Sequence, residues 1–243
     1  MLLHLFHVLW LWPFYFRICT ISPFWILYLK IFLRVSSSVH PRYFATNSFG
    51  VIPSVMMCYY PGQEGSYAMV DAIFGKFNPS GKLTLSIPRG AGFVPAYYSY
   101  KPQSRRGYTL GHDISALYPF GFGLSYTTYK YSNLRLSSAT MGENDTVQAI
   151  VDVTNTGKVA GDEIVQLYIH DDIASVTRPV KELKGLARVH IEPGQTVSVS
   201  IPIDRKSLEF YNSNLELVTE KGTFTVMVGP SSLDTSSVTL TLE

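Results

Sequence analysis

The chain has 243 residues, of which 46% are hydrophobic, 14% aromatic and only 16% charged. Two cysteines, Cys19 and Cys58, exclude a disulfide scaffold and a cysteine-based zinc finger. The net charge of +2 divides unevenly: Arg17, Lys30, Arg34 and Arg42 precede Glu64 with no acid among them, and from Glu64 onward 16 Lys/Arg face 18 Asp/Glu. The remaining balance is slightly acidic, so nucleic acid is not an expected partner.

Residues 1–33 are almost wholly apolar. A signal peptide needs a charged start and a small-residue cleavage site, and neither is present. A membrane span needs about 18 apolar residues in a row, and Pro13, Arg17 and Pro23 interrupt this one. A signal anchor with snorkelling cations, a buried helix, and a stretch outside any evolved domain (as from a mis-started gene) are the other readings. The anchor reading would make the membrane a partner through residues 1–33, with an extracellular or membrane-anchored location. His4 and His7 share a helical spacing, but a metal site takes three or four ligands, so no metal is expected. Residues 34–50 read as a linker, with Ser, Pro and Gly and no period.

From Val51 the pattern becomes that of a folded domain. The apolar run from Val55 to Tyr60 between Pro53 and Pro61 reads as a buried strand. Pro61-Gly62 turns the chain. Ser66 is placed to cap a helix over SYAMVDAIFGKF, and Gly75 to stop it. Asn78-Pro79-Ser80-Gly81 is a strong turn signal, and Leu83, Leu85 and Ile87 alternate as a strand. Residues 51–88 therefore read as the tail of an α/β layer. One such unit cannot cover both faces of a parallel sheet, so it should expose apolar surface. Residues 89–129 form a long connection rich in Gly, Tyr and Pro, whose aromatic content predicts packing rather than disorder.

The blocks PGQEGSYAMVDAIFGKFNPSGKL and ALYPFGFGLSYTTY resemble glycoside hydrolase family 3, the β-glucosidase and β-xylosidase family. The resemblance runs from about Val51 to the C-terminus. It implies that residues 51–88 end an α/β glycosidase domain and that LYPFGFGLSYT leads into a fibronectin type III-like domain.

Residues 130–243 support that domain by pattern alone. Val147, Ala149, Val151 and Val153 share one face. Val165, Leu167 and Ile169 do so in the next run, followed by Val197, Val199, Ile201 and Ile203. Phe224, Val226 and Val228, and then Val238, Leu240 and Leu242, complete the set. Period-two alternation between turn signals at Asn155-Thr156-Gly157, Pro193-Gly194 and Lys221-Gly222 predicts a two-layer antiparallel sandwich of about seven strands. Such a sandwich should melt as a unit from Lys130 to the C-terminus. The expected fold class is mixed, an α/β tail followed by an all-β sandwich.

A retaining glycosidase uses two carboxylates about 5–5.5 Å apart. The resemblance implies that the nucleophilic Asp lies in an N-terminal barrel and the acid/base Glu lies in the α/β domain ahead of the PGQEG block. Nothing family-like precedes Val51, so no catalytic residue is assigned and this chain by itself is expected to be inactive. In the intact family the substrate is a carbohydrate and no cofactor is used.

Glu64 reads either as a pocket-wall residue beside Tyr60, bonding a sugar hydroxyl, or as a carboxylate favoured by a helix N-terminus. Asp71 reads as a helix-surface residue. Asp162-Glu163 and Asp171-Asp172 read as solvated charge at loops or strand ends. Tyr97, Tyr98, Tyr100 and Tyr108 read as interdomain packing or as sugar-stacking platforms. Arg105 and Arg106 read as solvated or packed across the connection. Asn144-Asp145-Thr146 is a glycosylation acceptor sequence in a predicted turn. The competing reading of the whole chain is a non-catalytic carbohydrate- or protein-binding sandwich module, membrane-anchored through residues 1–33, and a third is a gene fragment without function.

Overall fold

Alternating apolar positions in the C-terminal half build most of the molecule. The computed structural model describes residues 33–36, 54–90, 93–102 and 115–243. Seven longer strands run through the second half: β5 (Tyr129–Leu136), β7 (Val147–Asn155), β8 (Gly161–Asp171), β9 (Glu182–Ile191), β10 (Thr196–Ile203), β13 (Gly222–Gly229) and β14 (Ser236–Leu242). One sheet has the order β10-β7-β5. The other has the order β6-β14-β13-β8-β9, with the short β6 (Thr140–Met141) at its edge. All pairings among the longer strands are antiparallel.

The inward residues of both sheets meet in one core, in which Val151, Val153, Leu167, Ile203, Phe224 and Leu240 are buried. The five alternating runs fall on β7, β8, β10, β13 and β14 and face this core as their spacing predicts. Val197 and Val238 pack against its margin. β5 carries no clean alternation, and β9 alternates only beyond its irregular start, from Leu186 to Ile191. Their registers shift at Ser132/Arg135 and opposite Leu167/Tyr168, and Asn133 sits at φ 54°. A four-residue helix, α2 (Arg205–Leu208), is closed by a reciprocal capping box between Asp204 and Ser207. A hairpin of β11 (Phe210–Tyr211) and β12 (Leu217–Val218) follows it.

The preceding segment is smaller. β1 (Leu33–Ser36) pairs in parallel with β2 (Ser54–Met57), so residues 34–36 belong to a strand rather than to a linker. β2 ends sooner than the apolar run suggests, and Tyr59 leaves it at φ 43°. Helix α1 (Gly65–Ile73) starts one residue ahead of Ser66. Its N-cap is Glu64, which makes no side-chain capping bond.

The helix stops where Gly75 predicts. Gly75 takes φ +72°, its N–H donates to the Ala72 carbonyl, and the Lys76 N–H donates to that of Asp71. These are the two bonds of a Schellman cap. The strand expected over 83–87 shrinks to β3 (Ile87–Pro88), paired with β4 (Ala116–Tyr118). Leu83 instead exchanges backbone bonds with an irregular stretch: its N–H donates to Phe122, and its carbonyl accepts from Gly121.

Candidate functional site at the junction

Strand β8 organises the site. On a half-exposed sheet its outward positions would be polar and wet. Here Val165 to Ile169 are buried on both faces, because the NPSGKL turn and the PFGFG stretch lie against it. Three attachments do this. The Asn78 side chain donates to the Ala160 carbonyl at 3.1 Å and accepts from the Tyr126 N–H at 2.7 Å. Lys82 Nζ reaches Glu163 at 3.2 Å and 3.1 Å to its two oxygens. Gln166 donates to the carbonyls of Gly121 and Pro230, and its own carbonyl accepts from the Tyr168 hydroxyl at 2.6 Å.

Glycines permit the close approach. A Cβ on Gly121 would lie 2.0 Å from Gln166 Oε1, and one on Gly161 would lie 2.4 Å from Asn78 Nδ2. The NPSG and PFGFG blocks are thus docking surfaces whose shape is set against β8.

Glu163 is the buried charge of this junction, with its side chain 3% exposed and that of Lys82 13%. Its carboxylate also accepts from the Tyr131 hydroxyl of β5 at 2.8 Å, so it ties both sheets to the incoming lysine. Burial, and then the Glu163 charge, push the Tyr131 phenol far above its ordinary range. The Tyr129 phenol beside it rises to about 12 for the same two reasons, with Asp162 adding to them. Both rings therefore stay protonated at any ordinary pH, and Tyr131 acts as a donor to the carboxylate. An ion pair removed from water this far holds only because its remaining lone pairs are satisfied.

The connection adds aromatic packing. Tyr98 stacks on Phe120 at 4.2 Å, meets Tyr168 edge-on at 5.8 Å, and accepts the Leu183 N–H on its hydroxyl. It is a packing residue. Tyr97 is exposed, and Tyr100 bonds through its backbone carbonyl to Val180.

The residues singled out from sequence are dispersed. Glu64 and Tyr60 lie on the exposed turn before α1, with Tyr60 81% exposed. Asp71 pairs with Lys76 at 2.7 Å on the helix surface. Asn144 lies in an exposed turn between β6 and β7. The solvated-charge reading of Asp162-Glu163 is corrected: both lie within β8, and only Asp162 reaches solvent, bonding Arg188 and His190. Asp171 closes the same strand half-buried, while Asp172 is exposed. Burial raises the carboxyl of Asp171, and the nearby Arg178 charge offsets part of that. His4, His7, Cys19, Arg105, Arg106 and Tyr108 lie outside the described residues.

Among the described residues no group of three or more His, Cys, Asp or Glu is placed to hold a metal ion. No helix among them is long and apolar enough to cross a membrane. The anchor reading falls on residues 1–33, of which all but Leu33 lie outside the described residues. Asn78, Lys82, Tyr131 and Gln166 were not identified from sequence as functional. For Glu163 a signal existed: it shares parity with Val165, Leu167 and Ile169, which places it on the core side of β8.

Residues 35–126 match the glycosyl hydrolase family 3 C-terminal domain, and residues 163–232 match the fibronectin type III-like domain. The match begins at residue 35, ahead of the motifs from which the resemblance was read. The chain belongs to glycoside hydrolase family 3 and carries its C-terminal part.

It is 45% identical over 197 residues to a β-xylosidase of Formosa agariphila, covering 79% of this chain and 27% of that protein. It is 43% identical over 189 residues to a periplasmic β-glucosidase of Salmonella typhimurium, covering 74% of this chain and 25% of that protein. Among solved structures, a β-glucosidase from Erythrobacter marinus superposes with a TM-score of 0.75 at 38% identity, over 79% of this chain and 25% of that one. A β-glucosidase from Listeria innocua in complex with glucose gives 0.74 at 30% identity, over 80% and 28%. The chain thus spans about a quarter of the length of the relatives it matches.

Proposed function

We propose that this chain supplies the C-terminal region of a β-glucosidase- or β-xylosidase-type enzyme acting on O-glycosyl bonds of a carbohydrate. In this reading the turn carrying Tyr60 and Glu64 forms part of a pocket wall. None of this chain's carboxylates acts as nucleophile or acid/base, and no cofactor takes part.

The observation that supports the reading most is the docking of the NPSGKL and PFGFG blocks on β8. It holds the α/β segment and the sandwich together while leaving the Tyr60–Glu64 turn and one face of α1 open. Tyr67 and Phe74 on that face are exposed, as an element awaiting a covering layer would have them.

The test is a chimera in which residues 54–243 replace the matching C-terminal part of the Salmonella typhimurium β-glucosidase. Hydrolysis of an aryl β-glucoside is expected in the chimera, and none in the 243-residue chain alone. Glu64→Gln and Tyr60→Ala should raise KM in the chimera with kcat less affected. Turnover by the chain alone, abolished by Glu64→Gln, would overturn the assignment of the chemistry to another region.

A further inference from the structure

Two lines of contact run from the sandwich to the exposed turn and to helix α1. In the first, Glu163 holds Lys82, and two residues on, the Thr84 hydroxyl donates to the Tyr59 hydroxyl at 3.5 Å, next to Tyr60. In the second, Asn78 joins the Ala160 carbonyl to the Tyr126 N–H, and the Tyr126 hydroxyl donates to the Ala72 carbonyl in α1 at 2.6 Å. Both lines leave the sandwich at the start of β8. Of the two charges on the first line, Glu163 is the more deeply buried, 3% exposed against 13% for Lys82. Its carboxylate has two partners from two parts of the chain: Lys82 from the α/β segment and Tyr131 from the facing sheet.

We infer that Glu163 is a positioning residue, which orients the Tyr60–Glu64 turn through its buried pair with Lys82, while the Asn78–Tyr126 line holds helix α1. It touches no reacting atom. The part concerning the turn rests on the reading of that turn as a pocket wall. The physical basis is the asymmetry of buried pairs. Losing one partner leaves a charge with no compensation inside the protein, whereas replacing both with apolar groups of similar shape is close to neutral. The sandwich is then more than a stabilising appendix, since one of its carboxylates sets where the α/β segment sits.

The test is hydrogen exchange on the full 243-residue chain. The Leu83 and Gly121 amides tie the NPSGKL turn to the PFGFG stretch, while the Gly222–Leu242 end of the β13–β14 ladder lies away from the junction and reports global folding. In Glu163→Gln, exchange at Leu83 and Gly121 should speed up by about tenfold or more with the β13–β14 amides unchanged. The double variant Lys82→Met with Glu163→Met should return them toward the parent rate. Tyr131→Phe, a milder change, should give a smaller effect of the same sign.

In the chimera, Glu163→Gln should raise KM more than it lowers kcat, and the double variant should restore KM. Unchanged exchange at Leu83 and Gly121, or equal acceleration of the β13–β14 ladder in every variant, overturns the positioning role. Faster junction exchange with an unchanged KM leaves the junction assignment standing and overturns the pocket-wall reading on which its functional part rests.

Discussion

At the residue scale the clearest electrostatic feature outside the junction is the group around Asp162. Its carboxylate accepts from Arg188 and is bonded by His190 Nδ1 at 2.6 Å, and His190 Nε2 faces Glu192 at 3.5 Å. The hydrogen bond to Asp162 holds the His190 imidazole above its ordinary value of 6.5. The bonds from His190 and then Arg188 hold Asp162 below 3.8. A raised histidine stabilises the fold fully below its unfolded value, and that contribution is lost as pH rises through the folded one. A lowered aspartate contributes above 3.8, and its share is lost as pH falls through the folded value. The β8–β9 pairing should therefore be strongest between these limits. His190→Ala should lower the melting temperature slightly below pH 6.5, where the bonded imidazolium contributes, and the variant and parent curves should converge as pH rises through the folded histidine's value. Solvent screening keeps the effect small.

Among elements, β8 and the PFGFG stretch depend on each other. β8 is buried on both faces only because the connection lies on it, and the connection has little regular structure of its own. Gly121 shows the closeness of the fit: its φ is +79°, and any Cβ would overlap the Gln166 amide. Gly121→Ala adds backbone strain and displaces a buried side chain that bonds Gly121, Pro230 and Tyr168. A loss of about 2 kcal/mol or more is expected by chemical denaturation. The slope of the transition should not change, because the surface exposed on unfolding stays nearly the same.

For the whole molecule, the prediction concerns what the sandwich needs. Its core lies between its own two sheets, so a fragment spanning residues 130–243 should still melt cooperatively in calorimetry. It should do so at a lower temperature than the full chain. Without residues 54–126, Glu163 loses Lys82, Gln166 loses the Gly121 carbonyl, and Tyr168 loses the Tyr98 contact. Absence of a cooperative transition in the fragment would show that the boundary at Lys130 cuts through a folding unit. The α/β segment should behave in the opposite way, since the exposed faces of Tyr67 and Phe74 leave it dependent on the junction for order.

Much of this was legible in the residues. Val147 to Val153 and Phe224 to Val228 announce their strands because one buried face imposes a period of two. Gly75 announces the helix stop because only a residue without Cβ takes φ +72° at little cost. The PGQEG, NPSGKL and PFGFG blocks carried the family. By contrast, β1 had no period to declare it, as a short strand depends on its neighbour. The strand expected at Leu83 gave way to two backbone bonds with Gly121 and Phe122, partners nearly forty residues away in sequence. Their charge assigned Asp162-Glu163 to solvent. Parity with Val165 and Leu167 put Glu163 on the core side, but tertiary structure alone decided that it is buried as a charge, because the lysine and the phenol that make this tolerable come from Lys82 and Tyr131. Alternation and turn chemistry are local and can be read along the chain, whereas the burial of a charge depends on which distant groups the fold brings to it.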